Sequence, residues 1–386
     1  MTRDAAGTVD ATTLRLALFT DTYPPQVNGV ARTLERLVAA VAERGGIARV
    51  FSVHDPEAES SAQTVRYPST PFWGYQQLRL AWPRQALVQS EVRALAPTLL
   101  HAATEFGVGL AGRTAARALG IPFVSSYHTS FAAYAKFYHL GLLARPAWRF
   151  MRWFHNAGLR TYCPTQAIVD EVTAAGFTNT AVWSRGVDTQ RFSPHFRSSA
   201  LRQQIGATDE SLVVTYVGRL AEEKGLDVAM RALHIADAAR PGRIRFVAVG
   251  DGPYEEAVHL RALPGSYLPG KLSGDALSTA YASGDVFLFP STTDTFGNVL
   301  LEAMASGLPV VGADVGPTRE QLAPDRGWLV PPGNASAFAE ALVTLIDDRV
   351  RLRHAQEKAL AFAAEKSWST VWNTLIRDYL TLHRPR

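Results

Sequence analysis

The stretch FLFPSTTDTFGNVLLEAMASGLPVVGADVG, residues 287–316, sets the reading of the whole chain. FLFP is a short apolar run that stops at Pro290. STTDTFG is a small polar loop, the helix is expected to begin around Asn298, and LPVVGA (308–313) is a second apolar run. A buried strand, a helix and another buried strand at this spacing predict a β-α-β unit with parallel strands and a right-handed crossover. The alternation continues outward. LVVTYVG from 212 is expected as a strand, RLAEEKG as a loop and LDVAMRALHIADAAR as a helix, with IRFVAVG (244–250) and DVFLFP (285–290) as further buried strands. The first half has its own strand set in LRLALFT (14–20), ARVFSV (48–53), TLLHAA (98–103) and PFVSSYH (122–128), with a helix at 30–45.

This pattern predicts an α/β chain of two Rossmann-like, doubly wound domains, 13–195 and 200–368. The polar, proline-containing RFSPHFRSSA near 190–200 is expected to join them, and the last segment, 370–386, to pack back on the first domain as a helix. Doubly wound sheets take ligands at the carboxyl ends of their strands, so two such domains are expected to face a central cleft lined by strand-end loops.

Bulk properties narrow the function classes. With 47% apolar and 19% charged residues the 386-residue chain is globular rather than disordered. A single cysteine, Cys163, excludes an internal disulfide and a cysteine-based zinc site, which makes a reducing cytoplasm the expected compartment. The polar start MTRDAAGTVDATT has no apolar signal region, and no uninterrupted apolar run is long enough for a bilayer; a soluble or peripheral protein is expected. Charge is uneven. Residues 1–200 carry 20 basic against 13 acidic side chains, and 66–160 carry 11 against 2, so the first half is expected to meet something anionic.

The strand-end loops hold the chemistry. Asp294 and Glu302 are two carboxylates able to accept from vicinal diols, one on a sugar ring and one on a ribose. Taken singly, Asp294 is equally a turn former and Glu302 an exposed helix residue. Backbone N–H groups of Phe296, Gly297 and Asn298 at the helix start suit a phosphate. Arg219 and Lys224 leave the strand at 212 on a short loop with Gly218. Such cations can take up the charge of a departing diphosphate where no Asp-x-Asp pair holds a metal. Asn28 and Gly29 before the first helix allow a diphosphate or acceptor to approach the backbone. His128 ends a first-domain strand and can reach a sugar hydroxyl, though a lone histidine is more often structural. Asp251 in the GDG turn and the loop at Lys271 and Leu272 can contact base or ribose. No G-x-G-x-x-G follows a strand, which argues against a nicotinamide or flavin enzyme.

Together these segments resemble glycosyltransferase family 4, the retaining enzymes of the GT-B fold. They are closest to the bacterial branch with lipid-acting mannosyltransferases and to plant-type sulfoquinovosyl lipid synthases. The resemblance runs from FTDTYPPQVNGVARTL through SYHT, SRGVDTQRFSP, VGRLAEEKG, VGDGP and YASGDVFLFPS to TDTFGNVLLEAMASGLPVV. It implies that Gly29 borders the donor diphosphate, His128 touches the hexose, Arg219 and Lys224 hold the diphosphate, Asp294 the hexose and Glu302 the ribose. The family usually has glutamate at both ends of the carboxylate pair, so Asp294 is a departure, as is Arg185 where many relatives have asparagine. A nucleotide sugar is the implied donor, GDP-mannose first and UDP-linked glucose, galactose or sulfoquinovose behind it, with no cofactor and no metal.

Two basic stretches interleave arginine with aromatics, RYPSTPFWGYQQLRLAWPR (66–84) and RPAWRFMRWFHNAGLR (145–160). Trp73, Arg79, Trp82 and Arg84 are the expected contacts to a lipid acceptor and an anionic membrane surface, on the inner face of the membrane. A buried aromatic core rimmed by arginine fits the same pattern. Nucleic acid is not expected, because no recognition helix or RNA-binding motif is present. Two other classes share the architecture, a nucleotide-sugar epimerase and a non-catalytic nucleotide-sugar binder; the combination of two cations with two carboxylates favours transfer over both.

Overall fold

The computed structural model describes residues 8–26, 28–59, 61–72, 75–128, 141–322 and 325–383. The chain forms two compact units, one running up to Ser184 and resuming at Ser369, the other Arg185–Trp368.

In the first unit a seven-stranded sheet has the order β3 (Thr64–Tyr67), β2 (Ile47–Val53), β1 (Arg15–Phe19), β6 (Leu99–Ala102), β7 (Phe123–Ser126), β8 (Arg160–Cys163), β9 (Thr180–Val182). Every pairing is parallel. The winding reverses between β1 and β6, so the ligand crevice of a doubly wound sheet opens there. Buried Phe19, Phe51, Val88, Leu100 and Val108 belong to the core packed against these strands, with Phe19 and Phe51 stacked at 4.4 Å. A separate hairpin, β4 (Thr70–Phe72) and β5 (Tyr75–Leu80), stands off this sheet. The edge strands TVRY and TAV, and RTYC next to the latter, carry no apolar run of their own; pairing with neighbours recruits them, which periodicity does not reveal.

The closing helix Trp368–Leu382 is fixed to this unit by polar contacts as well as by buried Trp372, Leu375 and Ile376. Tyr162 donates to Asp378 at 2.7 Å and Arg160 to its other oxygen at 3.2 Å. The Tyr379 hydroxyl lies 2.7 Å from His101 Nδ1, whose Nε2 is 2.5 Å from Ser126 Oγ. Burial pushes His101 down to about 3, so it stays neutral and serves this network as a hydrogen-bonding group.

The second unit is a six-stranded sheet, β12 (Tyr267–Gly270), β11 (Ile244–Val249), β10 (Leu212–Val217), β13 (Val286–Phe289), β14 (Val310–Ala313), β15 (Gly327–Val330), again parallel throughout. Its switch point lies between β10 and β13, whose ends carry Arg219 and Asp294. Helices Leu226–Ala239 and Ala335–Asp347 cover one face through Leu233, Phe338 and Leu342. Helix Asn298–Ala305 lies in the core of the other through Leu300 and Met304.

The division falls at Ser184/Arg185, ahead of the expected connection near 190–200. Val187 N–H bonds Lys366 O at 2.9 Å and Phe192 is buried in the second core. Arg197 and Arg202 both reach the buried carboxylate of Asp285, and Arg197 donates to Gly284 O at 2.6 Å. The segment looks like a linker by composition, but its charges are spent inside the second unit.

Candidate active site

The site grows from loops that leave the carboxyl ends of β10, β11, β12 and β13. Their close approach depends on glycine. A Cβ on Gly250 would stand 1.9 Å from Gly218 O, and one on Gly252 would stand 2.3 Å from Leu220 O. These two glycines bring the loop carrying Asp251 against the loop carrying Arg219, and Leu220 N–H bonds Asp251 O at 2.7 Å. Gly225 has φ +72, a left-handed conformation that disfavours any side chain, and its missing Cβ would lie 2.9 Å from Pro290 O. It therefore seats the Lys224 turn on the start of the Asp294 loop.

Lys224 Nζ meets both oxygens of Asp294 at 2.9 Å, and Ser291 Oγ donates to Asp294 Oδ2 at 2.5 Å. The side chains of Lys224 and Asp294 are 17% and 26% exposed. Burial by itself pushes Asp294 up, but Lys224, Ser291 and Arg219 outweigh it and hold the carboxyl below its ordinary value. Arg219 pairs with the buried carboxylate of Glu223 one helical turn on, and its carbonyl accepts from the Tyr216 hydroxyl at 2.9 Å. Burial, with Asp294 nearby, drives the Tyr216 phenol upward, so it remains a donor.

Glu302 lies on helix Asn298–Ala305, where the fully buried Tyr281 donates to its Oε2 at 2.8 Å. Gly297 caps that helix with φ +73, and Phe296 is buried, its carbonyl taken by Gln321. The Asn298 side-chain oxygen is buried with no hydrogen-bond partner among the described residues. Lys271 and Leu272 follow β12, with Leu272 packed on the core and Lys271 exposed. The second unit thus joins Lys224 and Asp294 by direct contact with the Arg219 charge near enough to act on Asp294, and places Gly218, Asp251, Lys271, Leu272, Phe296, Gly297, Asn298 and Glu302 on the adjoining strand ends and helix start. Sequence reasoning missed Glu223, Ser291, Tyr281 and Tyr216. Glu223 stands four residues from Arg219 and Ser291 three from Asp294, a usable signal; Tyr281 lies 21 positions from Glu302, and only the fold unites them.

The first unit carries its own candidate residues. Asn28 caps helix Gly29–Glu43 by accepting from Ala31 N, and Gly29 O accepts from Thr33 Oγ1. His128 is nearly buried beyond β7, its ring edge-on to Trp183 at 5.4 Å. Beneath that strand end His155 bridges Ser125 at 2.8 Å and Glu105 at 3.3 Å, all three buried. Trp73 lies outside the described residues. Arg79 is half-buried and tied to His54 O and to Ser69, so it fastens the β4–β5 hairpin instead of presenting its charge outward. Trp82 is 69% exposed and Arg84 is exposed at the start of helix Gln85–Leu95. In the 145–160 stretch Met151 and Phe154 are buried, as a core would have them, while Trp153 is 50% exposed under the Arg113 guanidinium, 3.6 Å from the ring.

Two parallel doubly wound units, the second with Arg219, Lys224 and Asp294 on the loops at its switch point, have the architecture of GT-B glycosyltransferases. Residues 27–191 match the family described as Glycosyltransferase Family 4, and 211–348 match Glycosyl transferases group 1. A GDP-mannose-dependent alpha-mannosyltransferase of Mycobacterium tuberculosis is 33% identical over 95% of this chain and 96% of its own length. A sulfoquinovosyl transferase of Arabidopsis thaliana is 35% identical over 87% and 67%, and an alpha-monoglucosyldiacylglycerol synthase of Streptococcus pneumoniae 28% over 77% and 70%. The solved sucrose-phosphate synthase of Thermosynechococcus elongatus superposes with a TM-score of 0.76 at 19% identity, covering 95% of this chain and 98% of that one. The chain belongs to glycosyltransferase family 4 and is a hexosyltransferase, with the retaining stereochemistry that goes with the family.

Proposed function

We propose that this enzyme moves a mannosyl group from GDP-mannose to a lipid or lipid-linked acceptor at an anionic membrane surface, without a metal ion. The observation that carries the reading is the convergence of Lys224, Arg219 and Asp294 on one point at the β10/β13 switch. When the glycosyl–phosphate bond breaks, negative charge develops on the diphosphate. Arg219 and Lys224 take it up, joined by the N–H groups at the start of helix Asn298–Ala305. Asp294 accepts from hexose hydroxyls, and Glu302, held by Tyr281, accepts from the ribose. The acceptor hydroxyl attacks from the face the diphosphate leaves, and the leaving phosphate takes its proton.

The mannosyl donor is proposed from the mycobacterial relative, and the lipid acceptor from the diacylglycerol-directed synthase. Among the described residues no helix is long and apolar enough to cross a membrane. Exposed Trp82, Arg84 and Trp153 are the proposed membrane contacts of the first unit, each arginine at the surface contributing about 1 kcal/mol on anionic lipid. The test is incubation with GDP-mannose, UDP-glucose, UDP-galactose or UDP-sulfoquinovose and vesicles of diacylglycerol with anionic phospholipid, in EDTA or magnesium. Glycolipid is expected from GDP-mannose in EDTA, with salt-sensitive flotation of the protein. Product only from a UDP-sugar transfers the reading to that donor, and product only with magnesium defeats the role given to Arg219 and Lys224.

A further inference from the structure

Lys224 and Asp294 follow different strands and pair directly with each other. Every oxygen of the carboxylate is engaged: Oδ1 accepts from Lys224, and Oδ2 from Lys224 and Ser291. We propose that Asp294 competes with the diphosphate for Lys224, so that the pocket favours an intact nucleotide sugar over the nucleoside diphosphate left after transfer. The inference rests on the nucleotide-sugar reading above.

A ligand that recruits Lys224 competes with two charge-assisted bonds to a largely buried carboxylate. A nucleotide sugar replaces both sides of what it breaks: its phosphate oxygens accept from Lys224 while hexose hydroxyls donate to the released Asp294. A nucleoside diphosphate supplies only the first half and leaves Asp294 with Ser291 and the more distant Arg219, an under-satisfied, largely buried charge. Once the hexose sits on the acceptor, Asp294 recaptures Lys224 and the diphosphate loses a cation as it must depart. Arg219 does not offset this loss freely, since Glu223 already pairs with it. Asp294 is therefore a specificity-determining residue between substrate and product, and Ser291 a positioning residue that holds it toward Lys224.

Calorimetric binding of GDP and of UDP, without hexose, isolates the effect. Asp294→Asn keeps the shape and removes the competing charge, and the diphosphate that wild type binds is expected to bind about tenfold tighter or more. Ser291→Ala is expected to fall between wild type and Asp294→Asn, and it carries the test if Asp294→Asn does not fold. In a Lys224→Ala background the Asp294→Asn gain should vanish. Unchanged or weaker diphosphate binding in the folded variants, or a gain that persists without Lys224, overturns the competition. Wild type that binds neither GDP nor UDP instead defeats the nucleotide-sugar reading itself.

Discussion

Replacing Lys224 by methionine keeps the length of the side chain and removes its charge, which isolates what the cation does. In the folded protein Asp294 would lose two charge-assisted bonds and retain Ser291 and the more distant Arg219. Hydrogen bonds to charged groups contribute about 1.5–3 kcal/mol, and with both side chains less than a third exposed little of that is lost to solvent screening. A loss of about 2 kcal/mol lowers the melting temperature of a unit this size by about 4–8 °C at pH 7. The sign of the pH dependence follows from the depressed carboxyl of Asp294. Its stabilisation is complete above the ordinary carboxylate pKa and is lost as pH falls through the folded value. The gap between wild type and Lys224→Met should therefore be wide at neutral pH and close as pH drops below about 4. Scanning calorimetry between pH 3 and 8 measures it, alongside a kcat loss of about 10²–10³ for a missing charge at the leaving group. Equal melting curves at pH 7, or a gap that widens toward acid, would refute the reasoning.

Two further substitutions separate the donor contacts from the scaffold. Tyr281→Phe removes the hydroxyl that fixes Glu302, and steady-state kinetics should show the donor KM up about tenfold with kcat within about twofold; an equal fall in kcat would place Glu302 elsewhere in the mechanism. Gly225→Ala forces a side chain into left-handed backbone and against Pro290 O, at about 1–2 kcal/mol for the conformation alone. Thermal unfolding should show that loss together with a lower kcat/KM, because the Lys224 turn shifts relative to Asp294.

Much of the fold was legible because buried parallel strands are continuous apolar runs. LRLALF, VVTYV and FLF announce themselves, and the Pro, Gly and Asn residues between them mark the loops. The marginal strands RTYC and TAV were not legible, since their neighbours rather than their own side chains make them strands. The boundary at Arg185 was missed for a related reason: RFSPHFRSSA has the composition of a linker, and only the pairing of Arg197 and Arg202 with Asp285 shows it to be pinned.

At the site, residue type and position after a strand put forward Arg219, Lys224 and Asp294 as candidates, because the loops of a doubly wound sheet have a fixed place for ligands. Composition likewise settled that the chain is globular and carries a basic first half. Only the tertiary structure decided how those side chains are spent. Lys224 meets Asp294 across 70 positions, Tyr281 meets Glu302 across 21, and Arg79 turns inward to Ser69. Local spacing governs which backbone a segment adopts, whereas partners distant in sequence are chosen by packing, and packing is a property of the folded chain.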